Sequence, residues 1–242
     1  MVKLLGQLLI LFIVSHNVYG KDTVRLIAGY SKPPFVIEEG AKGIQLDIVR
    51  EALSFDGYNV KFVHIPFGRS VMSLQNNTYD GIVTVMKGLE YPNILLSDPY
   101  VRYQNVAVSL SDRKFKINSI HDLPGKTVYT FQRARKHLGE EFEKVVSRSS
   151  GYREVAEQEK QVTDLFYRKA EVIILDINIF KHFAKEMSKS RQLDPFVIHP
   201  LFDERYYSAG FKDEALKNSF NAGVKKLKES GRYQEILDSY LN

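Results

Sequence analysis

Asp176 closes the apolar run Val172-Ile173-Ile174-Leu175, and a carboxylate ending a buried strand needs a partner. The following segment supplies one if Asp176 caps a helix, a role aspartate favours. Otherwise the carboxylate is open to a ligand, since post-strand loops carry function disproportionately. Cations that complement an acid stand on other such loops: Arg69, Lys87 and Arg133. A guanidinium fork grips a carboxylate through two bonds, and lysine offers a movable point charge. Solvent or a protein acid would satisfy each of the three equally well. Tyr30, Phe35 and Phe67 add flat rings that cover an apolar stem or face a cation, with core packing as the competing use.

Reactive chemistry is not spelled out. His64, His121, His137, His182 and His199 fall on different elements, and none has metal-ligand spacing such as His-Glu-x-x-His. There is no Gly-x-Ser-x-Gly elbow and no phosphate-cradling glycine loop. Cysteine is absent, which excludes disulfides, thiolate metal sites and a cysteine nucleophile. No catalytic residue, metal or cofactor is expected, so the chain reads as a binder and not an enzyme.

The elements that must position these residues alternate. Val24 to Ala28 and Val60 to Ile65 read as strands. Between them Ile44, Ile48, Val49, Ala52 and Leu53 share a helical face, with Gly57 as a left-handed stop. Ser70 suits the cap of a short helix through Val71 and Leu74, Asn76 and Asn77 break it, and Gly81 to Val85 is a third buried strand. This alternation predicts mostly parallel sheets. Val106, Val108 and Leu110 alternate before the polar stretch 111–114, where a first crossing between two lobes is expected. A second α/β stretch has strands at Lys126 to Thr130, Val172 to Leu175 and Phe196 to His199. Its helices lie around Arg135 to Val146, Lys160 to Lys169 and Ile177 to Met187. The chain then returns near Pro200 to Phe202 to two C-terminal helices separated by Gly231. Their aromatics, Phe220 and Tyr240, belong to the core.

At the N-terminus, Lys3 precedes the apolar run Leu4 to Val14, and Val18 and Gly20 are small residues at the −3 and −1 positions of a signal cleavage site. Removal of residues 1–20, whose one charged side chain is Lys3, leaves 222 residues and lowers the formal charge from +5 to +4. Basic and acidic residues are interspersed, as in Lys225, Lys226 and Lys228 beside Glu229, so no nucleic-acid stripe exists. The expected organisation is a signal peptide at 1–20, a first lobe at 21–110 and 200–242, and a second lobe at 111–199.

Six segments, in this order, carry a resemblance. They are Pro33-Pro34-Phe35; Gly43-Ile44-Gln45-Leu46-Asp47; Leu74 through Tyr79-Asp80; Ser97-Asp98-Pro99-Tyr100; Asp122-Leu123-Pro124-Gly125-Lys126; and Gly231-Arg232-Tyr233. From about residue 24 to 242 the chain resembles the family 3 extracellular solute-binding proteins of the polar amino-acid type that serve ABC transporters, as a divergent member. The resemblance implies the two-lobed α/β fold of type II periplasmic binding proteins, each lobe a mostly parallel sheet flanked by helices, with a ligand cleft between them. Open α/β sheets bind at the carboxyl ends of their strands. The expected ligand-binding set is therefore Tyr30, Phe35, Phe67, Arg69, Thr84, Met86, Lys87, Gln132, Arg133 and Asp176.

In the family, an aromatic ring at the position of Phe67 lies against the ligand. An aspartate matching Asp176 receives its ammonium, and groups around Thr84 bind its carboxylate. An arginine that relatives carry a few residues after Thr84 is missing: the segment reads Met86-Lys87-Gly88-Leu89-Glu90-Tyr91-Pro92-Asn93. A charge-assisted hydrogen bond contributes about 1.5–3 kcal/mol, so Arg69, Lys87 or Arg133 must replace it if a carboxylate is bound. The second-lobe loop Gln132-Arg133-Ala134-Arg135 stands where a Gly-Ser-Thr loop is common, and its charge hints at an anionic ligand. The resemblance implies capture of a small polar, carboxylate-bearing solute in the periplasm, by a monomer that serves a membrane permease or sensor. The alternative is a cyclohexadienyl-dehydratase-like enzyme using the same cleft. Asp176→Ala and Arg69→Ala are each expected to weaken binding strongly while leaving thermal stability nearly unchanged.

Overall fold

The computed structural model describes residues 23–75, 78–86 and 93–242, so the expected signal segment lies outside the described residues. Numbered along the chain, the first sheet holds β1 (Thr23–Ala28), β2 (Asn59–His64), β3 (Gly81–Met86), β4 (Leu95–Leu96), β5 (Val101–Tyr103) and β11 (Arg205–Phe211). Its order is β2-β1-β3-β11-β4, with β5 also on β11. The second sheet holds β6 (Asn105–Leu110), β7 (Val128–Phe131), β8 (Tyr152–Val155), β9 (Val172–Asp176) and β10 (Phe196–His199), in the order β10-β6-β9-β7-β8.

Helices α1 (Ile44–Ser54), α2 (Phe67–Gln75), α7 (Glu214–Glu229) and α8 (Arg232–Leu241) go with the first sheet; α3 (Ala134–Leu138), α4 (Glu140–Val146), α5 (Gln158–Phe166) and α6 (Ile177–Ser188) go with the second. The expected two-part α/β architecture is present.

Three expectations are corrected. The first crossing comes at Gln104, before β6, because β6 pairs antiparallel with β9 and β10 of the second sheet. Alternation at Val106, Val108 and Leu110 marks a strand without saying which sheet receives it. The sheets are mixed: parallel pairing joins β1 to β2 and β3, and β7 to β8 and β9, while β6, β10 and β11 pair antiparallel. Parallel neighbours need a crossover of a dozen or more residues. The antiparallel strands β6, β10 and β11 are those that flank the two crossings between the sheets, at Gln104 and at 200–204. Finally, α2 begins at Phe67, and Ser70 lies inside it with its hydroxyl on the Pro66 carbonyl (3.2 Å).

The sequence signals for stops held. Gly57 and Gly231 adopt φ of 79° and 80°, conformations in which a side chain would be strained. α1 packs against α7 so closely that a Cβ on Gly223 would lie 2.0 Å from the Ala52 carbonyl oxygen. One buried apolar cluster joins the two sheets, running from Leu26 and Val83 through Tyr103 and Val106 to Ile173 and Phe180. Among the described residues no helix is long and apolar enough to cross a membrane.

Candidate functional site

The carboxyl ends of β1, β2, β3 and β9 and the crossing at Gln104 converge, and the chemistry gathers there. β9 delivers Asp176, only 2% exposed, to the N-cap of α6. Its Oδ1 accepts the backbone N–H groups of Asn178 (2.8 Å) and Ile179 (3.1 Å), and its Oδ2 accepts that of Gln104 (2.8 Å). Asp176 fastens the second sheet's helix to the crossing from the first. Burial raises its carboxyl to about 6, against the pull of those three N–H groups and of Lys32.

Lys32 comes from the loop after β1. Its Nζ lies 5.2 Å from the centre of the Tyr103 ring, and its ammonium interacts with Asp176 without reaching ion-pair distance. Burial lowers the ammonium to about 8, and Asp176 opposes the shift. The Tyr103 ring has Phe35 stacked on it at 4.0 Å and Tyr207 against its edge at 5.1 Å. Phe35 is 2% exposed, so it backs Tyr103 and offers no open face of its own.

Beneath these rings lies a buried polar chain. Gln45, on the first turn of α1 and fully buried, donates from Nε2 to the Thr84 hydroxyl (3.0 Å) and the Tyr100 hydroxyl (3.2 Å), and accepts from the Tyr103 hydroxyl (2.8 Å). The Tyr100 hydroxyl donates to the Val83 carbonyl (2.8 Å). Thr84 therefore already has a protein partner. Gln45→Leu would leave the Tyr103 hydroxyl without its acceptor. It is expected to lower stability by about 2–4 kcal/mol, read as a fall in urea midpoint at unchanged m.

His64 ends β2 and bonds through Nδ1 to the Gly29 carbonyl (2.9 Å). A carbonyl only accepts, so Nδ1 carries a proton, and in the neutral ring Nε2 is then an acceptor; it is buried and has no partner among the described residues.

The other expected residues are scattered. Tyr30 is 55% exposed just after β1, and Arg69 is exposed on the first turn of α2. Phe67 opens α2 and Met86 ends β3, but their side chains lie outside the description, and Lys87 lies outside the described residues altogether. Gln132 and Arg133 are exposed after β7. The backbone N–H groups of Arg133 and Arg135 bond to Glu154 at 2.7 and 3.1 Å, and the Arg135 guanidinium lies over Tyr152 at 4.7 Å. Glu154 of β8 thus anchors this loop through its backbone N–H groups. Among the described residues neither Arg69 nor Arg133 forms an ion pair with Asp176.

Lys32, Gln45, Tyr103 and His64 were not anticipated as site residues. The one available signal was polarity out of place: Gln45 sits on the apolar face of α1, and Lys32 abuts the Pro33-Pro34 pair. No cluster of three or more potential metal ligands exists among the described residues. A cavity of about 190 Å³ lined by Thr23, Asp80 and Lys212 opens at the opposite ends of β1 and β3, away from these groups.

Residues 24–242 match the family described as bacterial extracellular solute-binding proteins, family 3. A curated relative, the arginine-binding periplasmic protein of Mannheimia haemolytica, is 25% identical over 224 residues, covering 87% of this chain and 88% of that protein. Among solved structures, the GluR0 ligand-binding core in complex with L-glutamate superposes with a TM-score of 0.75 at 16% identity, covering 91% of this chain and 99% of that one. The ancestral amino acid-binding protein AncCDT-1, a precursor of cyclohexadienyl dehydratase, gives a TM-score of 0.72 at 19% identity over 91% and 96% of the two chains.

Proposed function

The chain belongs to the bacterial extracellular solute-binding proteins, family 3, and from that premise we propose that it captures a small, carboxylate-bearing solute, an amino acid or a related acid, between its two α/β halves. The observation that carries this reading is the meeting of Lys32 from one half with Asp176 from the other, over Tyr103 and beside the crossing at Gln104. Opposite charges held on the two sides of a hinge give a polar solute contacts that exist together only when the halves close on it, and such differential contact drives closure. In this reading the closed form is handed to an ABC-type permease; a structural relative is described as an amino acid ABC transporter substrate-binding protein.

A thermal-shift screen of the purified protein against amino acids, dicarboxylic acids and small peptides tests this. A solute at a hundred times its Kd stabilises the fold by about 2.7 kcal/mol, equivalent to a rise of about 5–10 °C in Tm for a chain of this size. The absence of any saturable shift across the panel would refute solute capture.

One observation favours a second reading. A carboxyl raised to about 6, as in Asp176, suits proton transfer near neutral pH, and AncCDT-1 is described as a precursor of a dehydratase. Incubation with prephenate or arogenate distinguishes the two, because only the enzyme consumes its ligand.

A further inference from the structure

We propose that Lys32 is the receptor for the solute's acidic group and makes the cleft selective for anionic over net-cationic solutes. The inference rests on the solute-capture reading and specifies the solute's charge. It begins from an imbalance of donors and acceptors. An ammonium carries three N–H donors, and Lys32 Nζ has no hydrogen-bond acceptor or ion-pair partner among the described residues, only the Tyr103 ring face at 5.2 Å and the more distant Asp176. A charge partly withdrawn from water without a protein acceptor is unfavourable, and Lys32 is half-buried. It stands against Tyr103, whose ring is held by Phe35 at 4.0 Å and whose hydroxyl is held by Gln45 at 2.8 Å. The lowered ammonium pKa has the same origin. An incoming carboxylate would satisfy these donors and relieve the penalty.

The acceptor side is the reverse. A carboxylate has about four lone-pair positions, and three on Asp176 are taken by the backbone N–H groups of Asn178, Ile179 and Gln104. At most one remains for a solute's ammonium or hydroxyl. In the neutral His64 ring the buried Nε2 offers one further acceptor. A second positive charge, such as a guanidinium, would meet Lys32, and among the described residues Asp176 offers it at most one open lone pair. Glu154 of β8 has two lone pairs engaged as well, by the N–H groups of Arg133 and Arg135 at the start of α3. Among the described residues these groups therefore offer donors in excess of acceptors, the condition for selecting an acid. One relative's name says that it binds arginine, so the inference predicts a different preference here.

The test is calorimetric titration at pH 7 of wild type, Lys32→Met and Lys32→Arg with L-glutamate, succinate, L-glutamine and L-arginine. Wild type is expected to bind an acidic probe at least tenfold more tightly than arginine. Lys32→Met should weaken that acid at least tenfold and strengthen arginine relative to it, and Lys32→Arg should retain the acid preference. Methionine matches the lysine stem in length and removes only the charge, and a thermal melt of each variant verifies folding. Tight arginine binding by wild type, or an acid affinity unmoved by Lys32→Met, would overturn the role of Lys32 while leaving solute capture standing. No saturable binding of any probe by wild type would overturn both.

Discussion

Asp176→Ala is expected to destabilise the ligand-free protein by about 2–4 kcal/mol near pH 4 and by far less at pH 7. Two opposing effects give this pH dependence. Alanine removes the N-cap of α6, a loss of about 0.5–2 kcal/mol, and strands the Gln104 N–H, a further loss of about 1–3 kcal/mol. It also removes a carboxylate that folding holds in a poorly solvated place. Because the folded-state pKa of Asp176 is raised from 3.8 to about 6, the folded protein binds this proton more tightly than the unfolded chain. Its contribution to stability is therefore complete below pH 4 and is lost as the pH rises through about 6, a change of about 3 kcal/mol. The gap between wild type and Asp176→Ala should narrow over that window and stay flat from pH 7 to 8.

Asp176→Asn keeps the cap but not the acceptor for Gln104, so it should fall between the two near pH 4 and lack the pH dependence of wild type. Urea unfolding at several pH values reads all three proteins. A gap that widens from pH 4 to pH 7 would show that the carboxyl is not raised. The expectation from sequence, nearly unchanged stability, thus holds only near neutral pH and only by cancellation. Solute affinity at pH 7 should still fall about tenfold to a hundredfold, the range of one charge-assisted hydrogen bond.

The second large effect is steric. Helix propensity alone favours Gly223→Ala by about 0.8–1 kcal/mol, because glycine is a poor helix former. The α1–α7 interface reverses the sign. A Cβ at position 223 would stand 2.0, 2.6 and 2.7 Å from the carbonyl oxygen, carbonyl carbon and Cα of Ala52. All three are backbone atoms, so no rotamer change relieves the overlap. α1 and α7 must separate, which is expected to lower stability by about 3 kcal/mol or more and Tm by about 6–12 °C. α1 carries Gln45, so solute affinity should fall as well, and a control at the solvent-facing Lys225 should do neither. An unchanged Tm for Gly223→Ala would mean that the two helices pack less closely.

The central βαβ units were legible because their strands are short apolar runs with glycine, proline or polar stops, and the amphipathic spacing of α1, α5 and α7 is regular. β5 and β11 were missed: Val101-Arg102-Tyr103 is too short to show alternation, and Arg205-Tyr206-Tyr207 looks like a loop until the sheet pairs it. Of the site, Asp176 was readable because a carboxylate ending Val172 to Leu175 is conspicuous. Lys32 and Tyr103 were not. Their roles depend on which loop folds over which crossing, and that proximity joins residues 32, 103 and 176 from three separate stretches of chain. Gln45 stands in the segment Gly43 to Asp47, but its hydrogen bonding depends on three partners no local pattern names: Thr84, Tyr100 and Tyr103.

The apolar cluster that passes from Leu26 through Tyr103 to Phe180 belongs to neither sheet alone. Severing the chain at Gln104 would uncover Tyr103 on one fragment and Val106 on the other, each with half of its packing gone. Neither fragment inherits a complete interior. On heating, the two halves should give way as one cooperative unit, and a protease acting on the unfolded chain would destroy the molecule outright without releasing a surviving half.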